Sequence, residues 1–244
     1  MRYAILSDIH GNLEALQAVL ARIAALGADT VVCLGDLVGY NANPNDCVDI
    51  IRRDGITCIR GNHDAVACGL EDPGSFNPAA TESVLWTREK LTDENRSFLR
   101  GLSRELAIGD FFICHGSIHD TNRYILAKGD AQDNFSLMDM LPKRPSVCFF
   151  GHTHEQTSYS IEGPLIAHEL GESIRIESGK RYLINPGAVG QPRDGDPRAA
   201  FLIYDAKARD VTFYRTEYDI ATSQATIIRA GLPARLAQRL SIGR

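Results

Sequence analysis

The chain has 244 residues, with 44% apolar and 23% charged side chains, the proportions of a soluble globular protein of one large domain or two small ones. A net charge of -5 leaves no basic footprint for nucleic acid, and the apolar runs are too short and interrupted to span a membrane. Six cysteines without a CxxC pair, and an N-terminus that runs straight into a strand and a charged block, predict a reducing cytoplasm rather than a secreted, disulfide-bonded protein.

In chain order, residues 2–7 form a short apolar run that predicts a buried strand. Leu13 to Leu26 carries apolar residues at 13, 16, 19, 20, 23 and 26, which is helical spacing, and Gly27 is placed to close that helix. Residues 31–34 are the next strand, and Gly35-Asp36 follows directly. Residues 48–53 read as a helix with Pro44-Asn45-Asp46 near its start. Residues 57–60 are a third strand, followed by Gly61-Asn62-His63-Asp64. Strand, polar loop and helix thus repeat, the signature of an α/β fold with parallel strands, in which ligands collect beyond the carboxyl ends of the strands.

Residues 72–78, rich in Pro, Gly, Ser and Asn, predict a surface loop, and residues 80–100 a helical segment. Residues 105–114 alternate, then turn apolar and end at His115. Residues 146–150 repeat that ending, at Gly151-His152-Thr153-His154. Short strands are expected at 156–161, 174–177 and 181–184, a hairpin from 201–204 and 211–214, and a weak terminal helix with an Arg-rich face over 231–244. No linker separates domains, so residues 1–244 are expected to form one domain, its later strands completing a second sheet packed on the first.

Five of the seven histidines fall in four short blocks: Asp8-Ile9-His10, Gly61-Asn62-His63-Asp64, Cys114-His115-Gly116 and Gly151-His152-Thr153-His154. A fifth block, Gly35-Asp36, brings an acid. Hard oxygen and borderline nitrogen donors in this mixture suit a pair of divalent transition metals, a device for attacking phosphate esters. Asp8 and His10 could meet one ion across a tight turn, and Asp36 could bridge it to another. Asn62, His115 and His152 could complete the second ion, and His154 could return to the first. A bridging carboxylate would set the ions roughly 3.5–4 Å apart. His63 is not needed for coordination and could donate a proton to the leaving group or stabilise its charge, with Asp64 fixing its tautomer.

In order and in strand context, these blocks resemble the calcineurin-like metallophosphoesterase superfamily across residues 4–154. The later Asn185-Pro-Gly-Ala-Val-Gly-Gln-Pro-Arg-Asp-Gly-Asp-Pro-Arg198 resembles the branch of small prokaryotic members. The resemblance implies a four-layer α/β/β/α sandwich of two mixed β-sheets with a dinuclear site at the carboxyl edge of the strands. It implies Asp8, His10, Asp36 and His154 on one metal, Asp36, Asn62, His115 and His152 on the other, and His63 in the leaving-group role. Mn, Fe, Zn, Ni and Co are the candidate ions, with manganese the one expected. The protein serine/threonine phosphatases of the superfamily follow Gly-Asp with Asp-Arg-Gly and end the next block in Glu. Here the stretch is Leu37-Val38-Gly39-Tyr40 and the block ends in Asp64, which favours a small phosphodiester or phosphomonoester substrate.

Beyond the ligand set, Asn12 is a candidate for supporting the metal ligands or contacting phosphate or, alternatively, for capping the following helix. His119 is a candidate pocket residue. Arg193 and Arg198 could hold substrate phosphate or pair with Asp194 and Asp196. The expected activity is hydrolysis by attack of metal-bound hydroxide. A dinucleoside polyphosphate hydrolase, a protein phosphatase and a non-catalytic scaffold are the competing readings.

Overall fold

The computed structural model describes residues 1–74 and 76–244. β1 (Arg2–Leu6) leads into α1 (Leu13–Leu26), whose first turn is capped by Asn12 Oδ1 accepting from the Ala15 N–H. Gly27 closes the helix in the left-handed region, at φ 68°. Then come β2 (Thr30–Cys33), α2 (Pro44–Arg53), β3 (Thr57–Cys58) and α3 (Asn62–Ala67). β3 is shorter than expected because the Arg60 N–H leaves the sheet for the Ser103 carbonyl, at 2.7 Å. The polar block at 61–64, which reads as a turn by composition, instead opens α3.

The helix expected over 80–100 is two, α4 (Pro78–Lys90) and α5 (Asp93–Gly101). Leu91 and Thr92 are extended between them, and the Thr92 hydroxyl caps α5 by accepting from the Asn95 N–H. The loop expected at 72–78 is present at residues 72–74, 76 and 77; residue 75 lies outside the described residues, and Pro78 already belongs to α4. Residues 105–114 form an antiparallel hairpin, β4 (Glu105–Ile108) and β5 (Phe111–Cys114), turning at Gly109. α6 (Lys128–Met140) precedes β6 (Val147–Phe149). The rest is β7 (Gln156–Glu162), β8 (Leu165–Glu169), β9 (Ser173–Arg175), β10 (Arg181–Pro186), β11 (Ala199–Asp205), β12 (Asp210–Thr216), α7 (Ile220–Arg229) and α8 (Ala234–Leu240). α6, β8 and α7 have no counterpart in the sequence pattern.

The strands form two six-stranded mixed sheets, ordered β3-β2-β1-β11-β12-β9 and β4-β5-β6-β10-β7-β8. β1, β2 and β3 run parallel, as do β5, β6 and β10. Ile5, Val32, Leu34 and Leu202 of the first sheet pack against Phe111, Ile113, Phe149 and Ile184 of the second. Each such side chain, fully buried, contributes about 1.5–3 kcal/mol relative to exposure. α1 and α2 cover the outer face of the first sheet through Leu16, Val19, Val48 and Ile51, and α6 covers the second through Phe135 and Met138. The four-layer α/β/β/α sandwich expected from the sequence is therefore what forms. α7 and α8 add a fourth cluster, in which Ile227, Leu236 and Leu240 pack with Tyr40 and Ala80.

Among the described residues no helix is long and apolar enough to cross a membrane. All six cysteines are buried and unbonded.

Candidate metal centre

Every block singled out in the sequence follows the carboxyl end of a parallel strand. Asp8 and His10 follow β1, Asp36 follows β2, Asn62 follows β3, His115 follows β5, and His152 and His154 follow β6. Packing the two sheets face to face brings these five loops together. Asp8, His10, Asp36, His152 and His154 all sit at positive φ, between 49° and 67°. Asp and His tolerate that region better than bulky or β-branched residues, and each such position costs about 1–3 kcal/mol that the surrounding structure must offset. The backbone is bent to aim these side chains inward.

Three groupings converge within reach of a single ion: Asp8 with His10 and His154, His10 with Asp36 and His63, and Asp36 with His115 and His152. Asp36 Oδ2 lies 3.5 Å from His10 Nε2 and 3.3 Å from His115 Nε2. Asp8 Oδ1 lies 3.3 Å from His154 Nε2. Asp8 Oδ1, Asp36 Oδ2, Asn62 Oδ1 and His115 Nε2 are all buried without a hydrogen-bond partner.

The histidine tautomers follow from their outer contacts. A carbonyl only accepts, so the ring nitrogen facing it must donate. His10 Nδ1 donates to Val38 O (3.0 Å), His115 Nδ1 to Leu34 O (2.9 Å), His154 Nδ1 to Gln191 O (2.6 Å) and His152 Nε2 to Asn122 O (3.2 Å). The opposite nitrogen of each ring is thereby left for the centre of the site, the arrangement that holds ligating imidazoles. His10 Nε2 and His154 Nε2 face each other at 3.1 Å, two lone pairs with no hydrogen between them. A divalent cation resolves that repulsion and satisfies the orphaned oxygens. The residues present therefore fit a metal centre.

Protonation agrees with this. Burial pushes His152 down to about 3 and His10 and His154 well below the ordinary value, so all three are neutral near pH 7, the form that binds metal. Burial alone would raise Asp36, but the charges of His115 and His63 outweigh it and hold this carboxylate ionised. Burial also works against a charged His115, yet Asp36 pulls it up to about 10, so the two form a buried ion pair whose proton a cation would displace. Asp8 is pushed up to about 6 by burial.

His63 is brought into the same cavity. Its ring stacks on Phe76 (centroids 4.4 Å) and tilts against Tyr40 (4.5 Å). Gly39 lies against its edge: a Cβ at Gly39, where φ is 96°, would stand 2.5 Å from His63 Nδ1. The role foreseen for Asp64 does not survive. Its oxygens accept from the Gly61 N–H (3.0 Å) and the Val38 N–H (3.2 Å), while His63 Nδ1 has no partner. Asp64 thus caps α3 and ties the Val38 loop to it; it does not set the His63 tautomer.

Two other expected contacts are also absent. Asn12 uses its amide structurally: Oδ1 accepts from Ala15 N and Ser223 Oγ, and Nδ2 donates to Gly190 O. The capping alternative is the one realised. His119 is exposed, paired with Glu105 at 2.9 Å, and lines a separate cavity with Arg104 and Asp120. The Arg193 and Arg198 alternatives divide. Arg198 pairs with Asp196 at 2.6 Å, whereas Arg193 lines the main cavity.

That cavity, about 250 Å³, is lined by Asp36, Asn62, His63, His152, His154 and Arg193, with Tyr40, Phe76, Asn77, Asn122 and Tyr124 at its walls. Sequence reasoning missed Tyr124, which stacks on His152 (4.0 Å, 21°), and Asn122, which acts through its carbonyl. An aromatic residue in the polar stretch between two histidine blocks was the available signal for Tyr124. Asn122 offered none, since any residue has a carbonyl.

Comparison with known proteins gives consistent results. The family model described as the calcineurin-like phosphoesterase superfamily domain matches residues 1–209. An uncharacterized protein of Methanocaldococcus jannaschii is 38% identical over 246 residues, covering 99% of this chain and 98% of its own. The crystal structure of a metallophosphoesterase from Sphaerobacter thermophilus superposes with a TM-score of 0.85 at 40% identity, over 100% of this chain and 99% of that one. A hypothetical protein from Pyrococcus horikoshii shares the fold, with a TM-score of 0.82 at 21% identity over 100% and 98% of the two chains.

Proposed function

Because the chain belongs to the calcineurin-like phosphoesterase superfamily, we propose that it hydrolyses a small phosphorylated substrate with two divalent cations held by Asp8, His10, Asp36, Asn62, His115, His152 and His154. Four imidazoles pinned through one nitrogen, with the other turned on Asp8 and Asp36, support this most directly. Bound there, such a pair supplies Lewis acidity to the phosphoryl oxygens and lowers the pKa of an attacking water. Manganese is the ion we expect; the mixed oxygen and nitrogen donors also suit Fe, Zn, Ni and Co, so availability decides among them.

The chain's own residues do the rest. Asp36 presents one oxygen toward both halves of the donor set, its other oxygen held by the His63 N–H at 2.9 Å. The His63 ring, facing the cavity between Phe76 and Tyr40, is placed to hydrogen-bond the departing ester oxygen. Burial holds it at about 4 in the free chain, so it becomes a proton donor once the negative charge of the phosphate raises it. Arg193 offers a cation to the phosphate. A cavity of about 250 Å³ supports a small substrate over a folded phosphoprotein. Residues 1–244 act as one unit in this reading, supported by β11 and β12 joining the sheet of β1–β3.

The test is chelator-stripped protein with each candidate ion restored in turn, assayed on p-nitrophenyl phosphate and bis-p-nitrophenyl phosphate with parallel elemental analysis. Metal-dependent turnover of either ester, with about two ions per chain, is the expected outcome. Full loading without turnover of any phosphate ester would favour the scaffold reading.

A further inference from the structure

Arg193 is a half-buried cation that forms no salt bridge; the nearest anion acting on it is Asp8, at longer range. Its neighbours Asp194 and Asp196 are both engaged elsewhere, Asp194 with Arg215 and Asp196 with Arg198. Among the described residues no carboxylate lies within 4.0 Å of its nitrogens. Its Nε is buried and makes no hydrogen bond. The guanidinium is nevertheless held in place: it lies over the Tyr40 ring at 5.7 Å, and Nη2 donates to Tyr40 Oη (3.3 Å) and Gln191 Oε1 (3.2 Å). Its own N–H donates to His154 O at 3.1 Å, which ties the backbone to the histidine block. The loop carrying it is further pinned by Gly195 N donating to Gly243 O at 2.9 Å, a contact from beyond the part of the chain that the family model matches.

Holding a half-buried guanidinium in place with its Nε buried and unpaired is costly unless a ligand supplies the acceptor. Phosphate esters differ in what they can supply. A monoester has three terminal oxygens and carries two negative charges near neutral pH; a diester has two terminal oxygens and one charge. Beside a diester, a second ester substituent would take the place of an anionic oxygen, and the idle donor would stay unpaired.

Resting on the phosphoesterase reading above, we propose that the Tyr40–Arg193 pair is a clamp for a terminal phosphate and makes phosphomonoesters the preferred substrate class. Arg193 binds the additional anionic oxygen, and Tyr40 is a positioning residue that fixes the guanidinium plane. The discrimination comes as much from the donor stranded beside a diester as from the bond formed with a monoester.

The test compares wild type, Arg193→Gln, Arg193→Lys and Tyr40→Phe as metal-loaded proteins. Two quantities are read: kcat/KM on p-nitrophenyl phosphate and bis-p-nitrophenyl phosphate, and affinity for inorganic phosphate by calorimetry. Wild type should favour the monoester. Arg193→Gln should lower monoester kcat/KM and phosphate affinity by about 10- to 100-fold, and diester kcat/KM by a factor several-fold smaller. Arg193→Lys should fall between the two, since it keeps the charge and loses the planar fork. Tyr40→Phe should raise the monoester KM by about threefold with little change in kcat. Equal losses on both esters, or unchanged phosphate affinity, would overturn the clamp and leave the phosphoesterase reading standing. If wild type cleaved neither ester yet Arg193→Gln still weakened phosphate binding, the clamp would stand and the phosphoesterase reading would fall. Should Arg193→Gln not fold, Arg193→Lys and Tyr40→Phe decide by the same readouts.

Discussion

Asp36 Oδ1 accepts the backbone N–H of His63 at 2.9 Å, and this bond turns the other carboxylate oxygen, Oδ2, to a point 3.5 Å from His10 and 3.3 Å from His115. One carboxylate thus faces donors from both sheets while its own orientation is set by the loop that carries the proposed proton donor. Asp36→Asn should therefore disturb both ions at once. We expect metal content below about one ion per chain and a loss of kcat of at least about 1,000-fold, by analogy with removing a group that acts throughout a two-metal reaction. Two ions retained per chain in this variant, measured by elemental analysis, would rule out the bridging role.

His63→Ala should keep both ions and slow turnover by about 100- to 10,000-fold, the range for loss of general acid catalysis. The deficit should grow as the leaving group becomes more basic, so alkyl phosphates should suffer more than p-nitrophenyl phosphate. Because His63 also falls in a grouping with His10 and Asp36, its metal content is informative in itself: loss of one ion would recast it as a ligand. Gly39→Ala provides an independent check. Its Cβ would stand 2.5 Å from His63 Nδ1, so the ring must move and the same leaving-group dependence should appear.

Asn12→Ala should act on stability and leave the chemistry alone. It removes the cap of α1 and strands the buried Gly190 carbonyl, while the Ser223 hydroxyl keeps Glu14 Oε2 and the Asp219 carbonyl as acceptors. A cost of about 2–4 kcal/mol in urea denaturation is expected, with KM for p-nitrophenyl phosphate within about threefold of wild type. A large rise in KM with unchanged stability would restore Asn12 to the substrate.

In chelator-treated protein the buried site sets the pH profile of stability. Burial holds His63 at about 4 and His152 at about 3, and pushes His10 and His154 well below 6.5. Below pH 6.5 the unfolded chain protonates these four while the folded chain resists, so stability falls as pH drops. Asp8 and Asp64, raised by burial to about 6 and about 7, oppose this, because the folded chain takes up their protons first. Four protons against two leave the loss of stability on acidification as the net outcome. Above pH 6.5 the trend reverses: His115, held at about 10 by Asp36 despite its burial, gives up its proton and the contribution of the buried pair is lost. Thermal denaturation should show a maximum near pH 6.5. A melting temperature that kept rising toward pH 4 would contradict this balance.

Much of the site was legible because parallel strands deliver their loops to one edge, so Asp8, Asp36, Asn62, His115 and His152 could be placed together without coordinates. What escaped is physically of two kinds. Some partners are backbone carbonyls, at Val38, Leu34, Gln191 and Asn122, and carry no side-chain signal. Others turn on distant competition: that Arg193 stays free while Arg198 pairs depends on Arg215 of β12 reaching Asp194. In the fold, α6 escaped because its buried face is thin, with Asn134 among Ala131, Phe135 and Met138. That asparagine accepts from Ser117 and Ile118 in the loop after His115. Asp64 was misread because the same acid serves equally well, on paper, beside a histidine or at a helix start.

The pairing of β1 with β11 has a consequence for biosynthesis. All seven donors lie within the first 154 residues, yet the strand that seals the edge of β1 spans Ala199–Asp205. A ribosome-bound chain that has released every donor still lacks the neighbour that flattens β1 into its sheet, and the Gly187–Gly190 turn that supports the Asp8 loop through Gly190 N and Asp8 O at 2.9 Å. The pocket therefore cannot close until β11 has emerged, late in synthesis.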